Sequence, residues 1–189
     1  MNTHAPRLRR AYFECRHGQL HVHNAIPEGG GFDELTTLIC LHGSASTGRM
    51  FLELSRRLGS SRSIYSPDLP GCGESDAAGA TLLAAGYADA ITDFLDSMRF
   101  RQIDLLGAGA GGAVAIELAL ARPKIVRKVV LAGHGNKEGG VGVALEAAVA
   151  AWQSDRLQLV KQPLLKIETQ SFEAESETLA RKLAEFLAK

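Results

Sequence analysis

A glycine-rich turn, Gly107 to Gly112, is the stretch of this chain whose residue types and spacing could carry chemistry. The apolar run Ile103 to Leu106 precedes it, and an apolar segment with helical periodicity follows it, so the pattern predicts a strand, a sharp turn and a helix. Turns of this kind at the carboxyl ends of sheet strands hold either a phosphate-binding loop or a catalytic nucleophile. The six residues of the turn fit both templates imperfectly.

The dinucleotide template is matched by glycines alone. Gly107, Gly109 and Gly112 have the G-x-G-x-x-G spacing. That motif also requires an acidic residue about 20 positions later, at the end of the next strand, to hold a ribose. The next apolar run ends in Leu131-Ala132-Gly133 without one, and two strand-helix units precede the turn. The dinucleotide interpretation is therefore the weaker of the two.

The nucleophile template is matched by the flanking glycines. Gly107 and Gly111 have the spacing of G-x-S-x-G, in which the central serine attacks the substrate. Gly109 stands at the position of that serine, and it has no side chain with which to attack. Oxyanion holes are made from backbone N–H groups, so the amide of Ala110 could still bind an anionic or carbonyl oxygen.

Two further segments place polar residues at the ends of predicted strands. His42-Gly43-Ser44 follows an apolar run, and His134 follows another. The carboxyl ends of neighbouring parallel strands meet at one edge of a sheet, so we expect these residues near Gly109. His42 is predicted to support its turn by hydrogen bonding, and His134 is a candidate base or ligand contact. The Ser44 amide is a second candidate oxyanion-hole donor, whereas a nucleophilic Ser44 would need an adjacent base.

The elements that must position these residues alternate between strands and helices. A hairpin around His17-Gly18 is predicted to lead into the sheet. Apolar runs predict buried parallel strands, and they are Leu35–Leu41, Ser63–Ser66, Ile103–Leu106, Ile125–Ala132 and the weaker Leu164–Ile167. Periodic apolar positions predict helices, which begin near Ser46 or Thr47, span Thr81–Met98, follow the glycine turn to Ala121, cover Val141–Trp152 and end the chain. The alternation predicts an α/β fold, with a doubly wound, mainly parallel sheet in a single domain, residues 1–189.

Three of these segments, in this order, resemble the α/β-hydrolase superfamily and its small esterase, lipase and carbon-carbon hydrolase branch. Leu38 to Ser44 is similar to the strand and His-Gly turn that supply one oxyanion-hole amide. The segment from Asp68 to Ser75 is similar to the Asp-x-x-Gly-x-Gly-x-Ser loop, and Gly107 to Gly112 occupies the nucleophile position. The resemblance covers most of residues 11–133 and implies a minimal α/β-hydrolase fold without a large cap domain.

The resemblance also implies which catalytic groups to expect. In that family a serine, aspartate or cysteine in the turn attacks the substrate, and a histidine late in the chain acts as the base. Gly109 replaces the nucleophile, and no histidine follows His134 in these 189 residues, as though the terminal segment were shortened. We therefore expect a pocket without Ser-His-Asp chemistry, lined by His42, Gly43, Ser44, Gly109 and Ala110.

The composition of the chain argues against several classes of binding partner. Twenty-one basic and 21 acidic side chains give a net charge of zero, so we expect no nucleic acid and no membrane partner. Cys15, Cys40 and Cys72 lack metal-ligand spacing, which favours reduced thiols and a cytoplasmic location. A zinc site made of His42, Cys72 and His134 has no local spacing to support it, so no metal and no cofactor are expected.

The sequence predicts a non-hydrolytic α/β-hydrolase-family protein that binds a small carbonyl or carboxylate ligand, or a protein. The alternative is an active esterase-like hydrolase in which His134 activates water or Ser44. A third hypothesis is an interaction module without a pocket. The sequence leaves open whether a second copy of the chain covers an exposed sheet edge, and whether Val141–Trp152 forms a lid, a partner surface or core.

Overall fold

The computed structural model describes residues 5–29, 35–43, 45–134, 156, 158–169, 172 and 174–188, with the backbone alone for His134. Within these ranges the strands are β1 (Arg7–Cys15), β2 (Gly18–Ile26), β3 (Thr37–Leu41), β4 (Ile64–Pro67), β5 (Ile103–Ala108), β6 (Val126–His134) and β7 (Leu164–Thr169). The helices are α1 (Leu52–Leu58), α2 (Ala84–Ser97), α3 (Gly111–Ala121) and α4 (Ser176–Ala188), and a 3-10 helix, Gly48–Phe51, precedes α1. Among the described helices, none combines the length and the apolarity that crossing a bilayer requires.

The seven strands form one sheet in the order β1-β2-β4-β3-β5-β6-β7. The strands β1 and β2 are an antiparallel hairpin, and β2 also pairs antiparallel with β4. All neighbours from β4 to β7 are parallel. This arrangement confirms the predicted α/β fold with a mainly parallel sheet, and it brings the carboxyl ends of β3, β5 and β6 together at one edge.

The observed elements depart from the predicted ones mainly at their ends. The strand β6 continues through Gly133 to His134, which the sequence pattern placed beyond the strand, in a loop. The reason is pairing with β7, because the register continues to His134 opposite Thr169. The predicted helix Val141–Trp152 lies outside the described residues. The helix α3 ends at Ala121, as predicted from the proline two residues later.

The sheet is covered on both faces, and alternate residues of its central strands point to opposite layers. Ile39 and Leu105 belong to the core layer that packs against α2 and α3. Leu38 and Leu106, their chain neighbours, belong to the layer that packs against α1 and α4. All four side chains are fully buried. Burial on both faces explains why these strands are nearly continuous apolar runs and do not alternate with polar residues.

The edge of the sheet opposite the glycine turn is held by buried charges. Asp104, near the start of β5, accepts hydrogen bonds from Arg127 (Nε to Oδ1, 2.9 Å) and from Arg62 (Nη1 to Oδ2, 3.4 Å). Arg127 also donates to the carbonyl oxygen of Leu187 at 2.6 Å, and Lys128 Nζ donates to that of Phe186 at 2.7 Å. These bonds pair the last carbonyls of α4 with positive charges, which favours docking of this helix end on the sheet.

Candidate functional site

The turn between β5 and α3 has an unusual backbone at its centre. Gly109 has a φ of +52°, a left-handed conformation that glycine adopts without steric cost. Its N–H donates to the carbonyl oxygen of Ala132 on β6 at 3.0 Å, and its own carbonyl oxygen accepts from the N–H of Gly112 at 2.9 Å. The turn is therefore fixed to the neighbouring strand on one side and to the first turn of α3 on the other.

The flanking glycines are needed for close packing. A Cβ added to Gly107 would lie 2.6 Å from the Gly111 carbonyl oxygen and from the Cα of Gly112. A Cβ added to Gly111 would lie 2.2 Å from the carbonyl oxygen of Leu41 on β3. Real Cβ atoms do not approach backbone so closely, so both positions require glycine if α3 is to start directly against β3 and β5.

Gly109 differs from its flanking glycines because no described residue crowds it. A Cβ added to Gly109 would meet no atom of the described residues within 4 Å, and the residue is exposed. The backbone at this position therefore has the geometry that would project a side chain away from the turn, although the residue has none. Within the described part of the chain, this position has room for a side chain or ligand atoms but carries no reactive atom.

The His-Gly turn after β3 lies directly against the glycine turn. A Cβ on Gly43 would lie 3.1 Å from the carbonyl oxygen of Ala108 and 3.4 Å from the amide nitrogen of Ala110. Three of the predicted pocket residues, Gly43, Gly109 and Ala110, are thus brought together. No side chain from the described part of the chain caps α3. The N–H groups at the start of this helix, together with its dipole, attract anionic or carbonyl oxygens.

His42 is fully buried beneath this turn, and hydrogen bonds fix its tautomer. Its Nδ1 donates to the carbonyl oxygen of Gly43 at 2.8 Å, and its Nε2 accepts from the N–H of Leu69 at 2.9 Å. Burial lowers the pKa of the imidazole, so the ring is neutral at neutral pH. Both nitrogens are occupied, which indicates that His42 supports the turn and neither moves protons nor binds metal there.

Asp68, in the loop that follows β4, is the second organiser of this edge. Its Oδ1 accepts from the N–H of Gly48 at 2.7 Å, and its Oδ2 accepts from the N–H of Glu74 at 3.1 Å and from Nδ1 of His21 at 2.8 Å. Burial alone would raise the pKa of Asp68, but these hydrogen bonds outweigh it and lower the pKa below its usual value. The carboxylate therefore holds together β2, the 3-10 helix and the loop after β4.

The two remaining predicted site residues are Ser44 and His134, and the structure describes only the backbone of His134. Ser44 lies outside the described residues. The backbone of His134 ends β6, two residues beyond Ala132, whose carbonyl oxygen accepts the Gly109 N–H. The backbone of His134 thus lies at the same edge of the sheet as the glycine turn.

The sequence prediction missed a histidine pair on β2. His21 is 1% exposed and bonds to Asp68, and His23 lies two residues along the same strand. The signal for this pair was available, because His-x-His in a strand places both rings on one face. Only the fold shows that the loop after β4 carries a carboxylate to the same face.

Comparisons with known proteins agree with the architecture. The model of the alpha/beta hydrolase family matches residues 38–188. The chain is 31% identical, over 69% of its length and 52% of the relative's, to a pimeloyl-[acyl-carrier protein] methyl ester esterase of Neisseria meningitidis. It spans 35% to 52% of the length of the curated relatives that it matches.

Two solved structures show the likeness in three dimensions. A mutant of the N-acyl homoserine lactonase AidH, complexed with N-hexanoyl homoserine lactone, is 26% identical with a TM-score of 0.61, over 72% of this chain and 53% of that one. Cfl2 from Burkholderia cenocepacia is 16% identical with a TM-score of 0.74, over 95% of this chain and 96% of that one. At that identity, the likeness to Cfl2 concerns the fold alone.

Proposed function

This chain belongs to the alpha/beta hydrolase family, and we propose that it is a member that binds a small carbonyl or carboxylate compound at the Gly109 turn without hydrolysing it. The observation that carries the proposal is the state of the turn. Gly109 keeps a positive φ, and no described atom lies within 4 Å of a Cβ position there, while the residue lacks any atom that could attack a substrate. Covalent catalysis requires a side-chain nucleophile activated by a base, which glycine cannot supply.

The binding chemistry of the proposal rests on backbone groups. The Ala110 amide and the uncapped start of α3 lie beside Gly43, where a carbonyl or carboxylate oxygen would be favoured by N–H groups and by the helix dipole. The described part of the chain leaves room beside Gly109 for the rest of such a ligand. A structural relative supports the choice of compound, because an AidH mutant with a serine-to-glycine change is complexed with N-hexanoyl homoserine lactone.

A second candidate function is an active esterase-like hydrolase in which His134 activates water or Ser44. It is favoured by the backbone position of His134 at the end of β6, near the Gly109 turn. Esterases and a semialdehyde hydrolase also occur among the relatives. This function requires His134 and is independent of any side chain at Gly109, so the two proposals can be separated.

Hydrolysis of p-nitrophenyl butyrate by the wild-type protein and by His134→Ala tests the proposal. The expected result is the buffer rate for both proteins at every protein concentration. Turnover that rises in proportion to wild-type protein and disappears in His134→Ala would replace the proposal with the second candidate. An interaction module without a pocket would instead show no hydrolysis and no thermal shift with any compound in a panel of small acids, esters and lactones.

A further inference from the structure

A cluster of three polar side chains lies on β2 and the loop after β4. His21 and His23 share one face of the strand, and their ring centroids are 4.6 Å apart at an interplanar angle of 80°. With Asp68 they form a group in which one potential ligand atom from each residue lies within 4.8 Å of the others. His21 and Asp68 are buried, and His23 is half-buried, so the cluster has one side towards solvent.

The ring of His21 is only half satisfied. Its Nδ1 is hydrogen-bonded to Oδ2 of Asp68 at 2.8 Å. Its Nε2 is buried and has no hydrogen-bond partner among the residues that the structure describes. Buried polar atoms are nearly always paired, so this nitrogen requires an explanation. A carboxylate that holds one nitrogen of a histidine while the other faces a neighbouring ligand is the usual arrangement behind a metal-binding histidine.

We infer that His21 and His23 bind a divalent transition-metal ion of the Zn²⁺ type, with Asp68 orienting His21. Imidazole nitrogens are ligands that Zn²⁺ prefers, at about 2.0–2.1 Å, and potential ligand atoms of the two histidines lie within 4.8 Å of each other. The sequence predicted no metal because it has no local ligand spacing of the usual kind. The ligands instead come from alternate positions of one strand.

Charged side chains of both signs lie beside the cluster, on the side where His23 is half-buried. Glu74 reaches the same surface, where its Oε2 accepts a hydrogen bond from the Tyr12 hydroxyl at 2.6 Å. Arg10 also lies there, 3.5 Å from Glu74, and it opposes the approach of a cation.

An ion in this position would fix two alternate positions of β2 to each other. It would lie next to the loop after β4, because Asp68 of that loop is hydrogen-bonded to His21 and also holds the N–H of Gly48 after the His-Gly turn. The inference stands on the β2 cluster alone and is independent of whether the chain hydrolyses, binds or ignores carbonyl compounds.

Isothermal titration of chelator-treated, tag-free protein with ZnCl₂ tests the inference. The wild type is expected to bind one equivalent of Zn²⁺ saturably. His23→Gln removes one ligand at a half-buried position, so the fold is retained and the affinity falls about tenfold or more. His17→Gln, which removes a histidine at the β1-β2 turn, is the matched control and should bind as the wild type does.

Circular dichroism spectra of the two variants should match that of the wild type, so that any loss of binding can be distinguished from unfolding. Cobalt substitution gives a second reading, because Co²⁺ held by histidine nitrogens has visible absorption that should appear in the wild type and in His17→Gln only. Absence of saturable Zn²⁺ binding by the wild type would overturn the inference. Equal binding by folded His23→Gln and wild type would overturn it as well.

Discussion

At the scale of single residues, the three glycines at positions 107, 109 and 111 have different physical reasons to be glycine. Gly107 and Gly111 allow backbone segments to approach more closely than any Cβ permits. A Cβ on Gly109 would meet no described atom within 4 Å, so among the described residues only the positive φ disfavours a side chain there. Packing therefore explains why Gly107 and Gly111 are glycines. At Gly109, the absence of a side chain instead removes a possible nucleophile from the site.

Alanine substitutions separate the two kinds of glycine. Gly111→Ala forces a Cβ against the Leu41 carbonyl oxygen and should destabilise the protein by about 3 kcal/mol or more. The Cβ of Gly109→Ala meets no described residue, so its cost should be that of the left-handed backbone alone, about 1–2 kcal/mol. Urea unfolding measured by circular dichroism gives both values. Equal losses for the two variants would show that Gly109 is packed as tightly as Gly111.

Burial of neutral His42 predicts a pH dependence of stability. The pKa of its imidazole is lowered in the folded protein, so in the window between that value and the unfolded value of about 6.5 the unfolded chain binds more protons. The contribution of neutral His42 to the free energy of unfolding should therefore be complete above pH 6.5 and should be lost as the pH drops through this window. His23, whose pKa is also lowered, contributes in the same direction.

The variant His42→Gln isolates the contribution of this ring. It should be less stable than the wild type at pH 7.5, yet lose less further stability between pH 7.5 and pH 5.5, because the group that resists protonation is gone. The measurement is urea unfolding at the two pH values. An unchanged difference between them in His42→Gln would mean that the ring is not the source of the pH dependence.

At the scale of elements, α4 is held to the sheet by apolar contacts and by a charged cluster at its end. Leu179, Leu183 and Leu187 are buried in the layer shared with α1. The other contribution is Arg127, which bridges the carboxylate of Asp104 and the carbonyl oxygen of Leu187. Asp104 is fully buried, and among the described residues Arg62 and Arg127 pair with its carboxylate.

Asp104→Asn removes that charge with almost no change in shape. Arg62, 1% exposed, would then be buried without its partner, and loss of one member of a buried ion pair costs about 3–5 kcal/mol. Asp96→Asn is the matched control, because Asp96 pairs with Arg122 at the surface, where such pairs contribute about 0–1 kcal/mol. The midpoint of urea unfolding should fall clearly for Asp104→Asn and little for Asp96→Asn. Similar small shifts in both would show that the cluster does not hold α4.

At the scale of the whole molecule, the mainly parallel sheet could be anticipated because hydrophobic patterning reflects burial on two faces of a sheet. The runs around Ile39 and Leu105 predicted parallel strands, and the Gly107 to Gly112 spacing predicted the turn between strand and helix. Contacts between distant segments could not be predicted in the same way. The hydrogen bond from His21 to Asp68 exists only because the loop after β4 folds back on β2.

In the candidate site, too, some features could be predicted from the sequence and others could not. Its position followed from the ends of strands β3, β5 and β6, where Gly43, Gly109 and Ala110 meet. Residue spacing does not encode the room that the described residues leave beside Gly109 or the hydrogen bonding of both His42 nitrogens. Both features could be seen only in the folded structure. The non-hydrolytic role remains a prediction that depends on both.

Saturation-transfer difference NMR with N-hexanoyl homoserine lactone tests whether the Gly109 turn binds a lactone without hydrolysing it, because one sample reports both binding and ring opening. Gly109→Asn fills the open space with a side chain that tolerates positive φ. Gly71→Asn is the matched control, with φ of +80° and an added Cβ no closer than 4.0 Å to its nearest neighbour, in the loop after β4. Binding without hydrolysis predicts transfer to intact lactone in the wild type and Gly71→Asn, none in Gly109→Asn, and ring opening no faster than in buffer. Ring opening in proportion to the wild-type protein, or transfer that survives in Gly109→Asn, would contradict it.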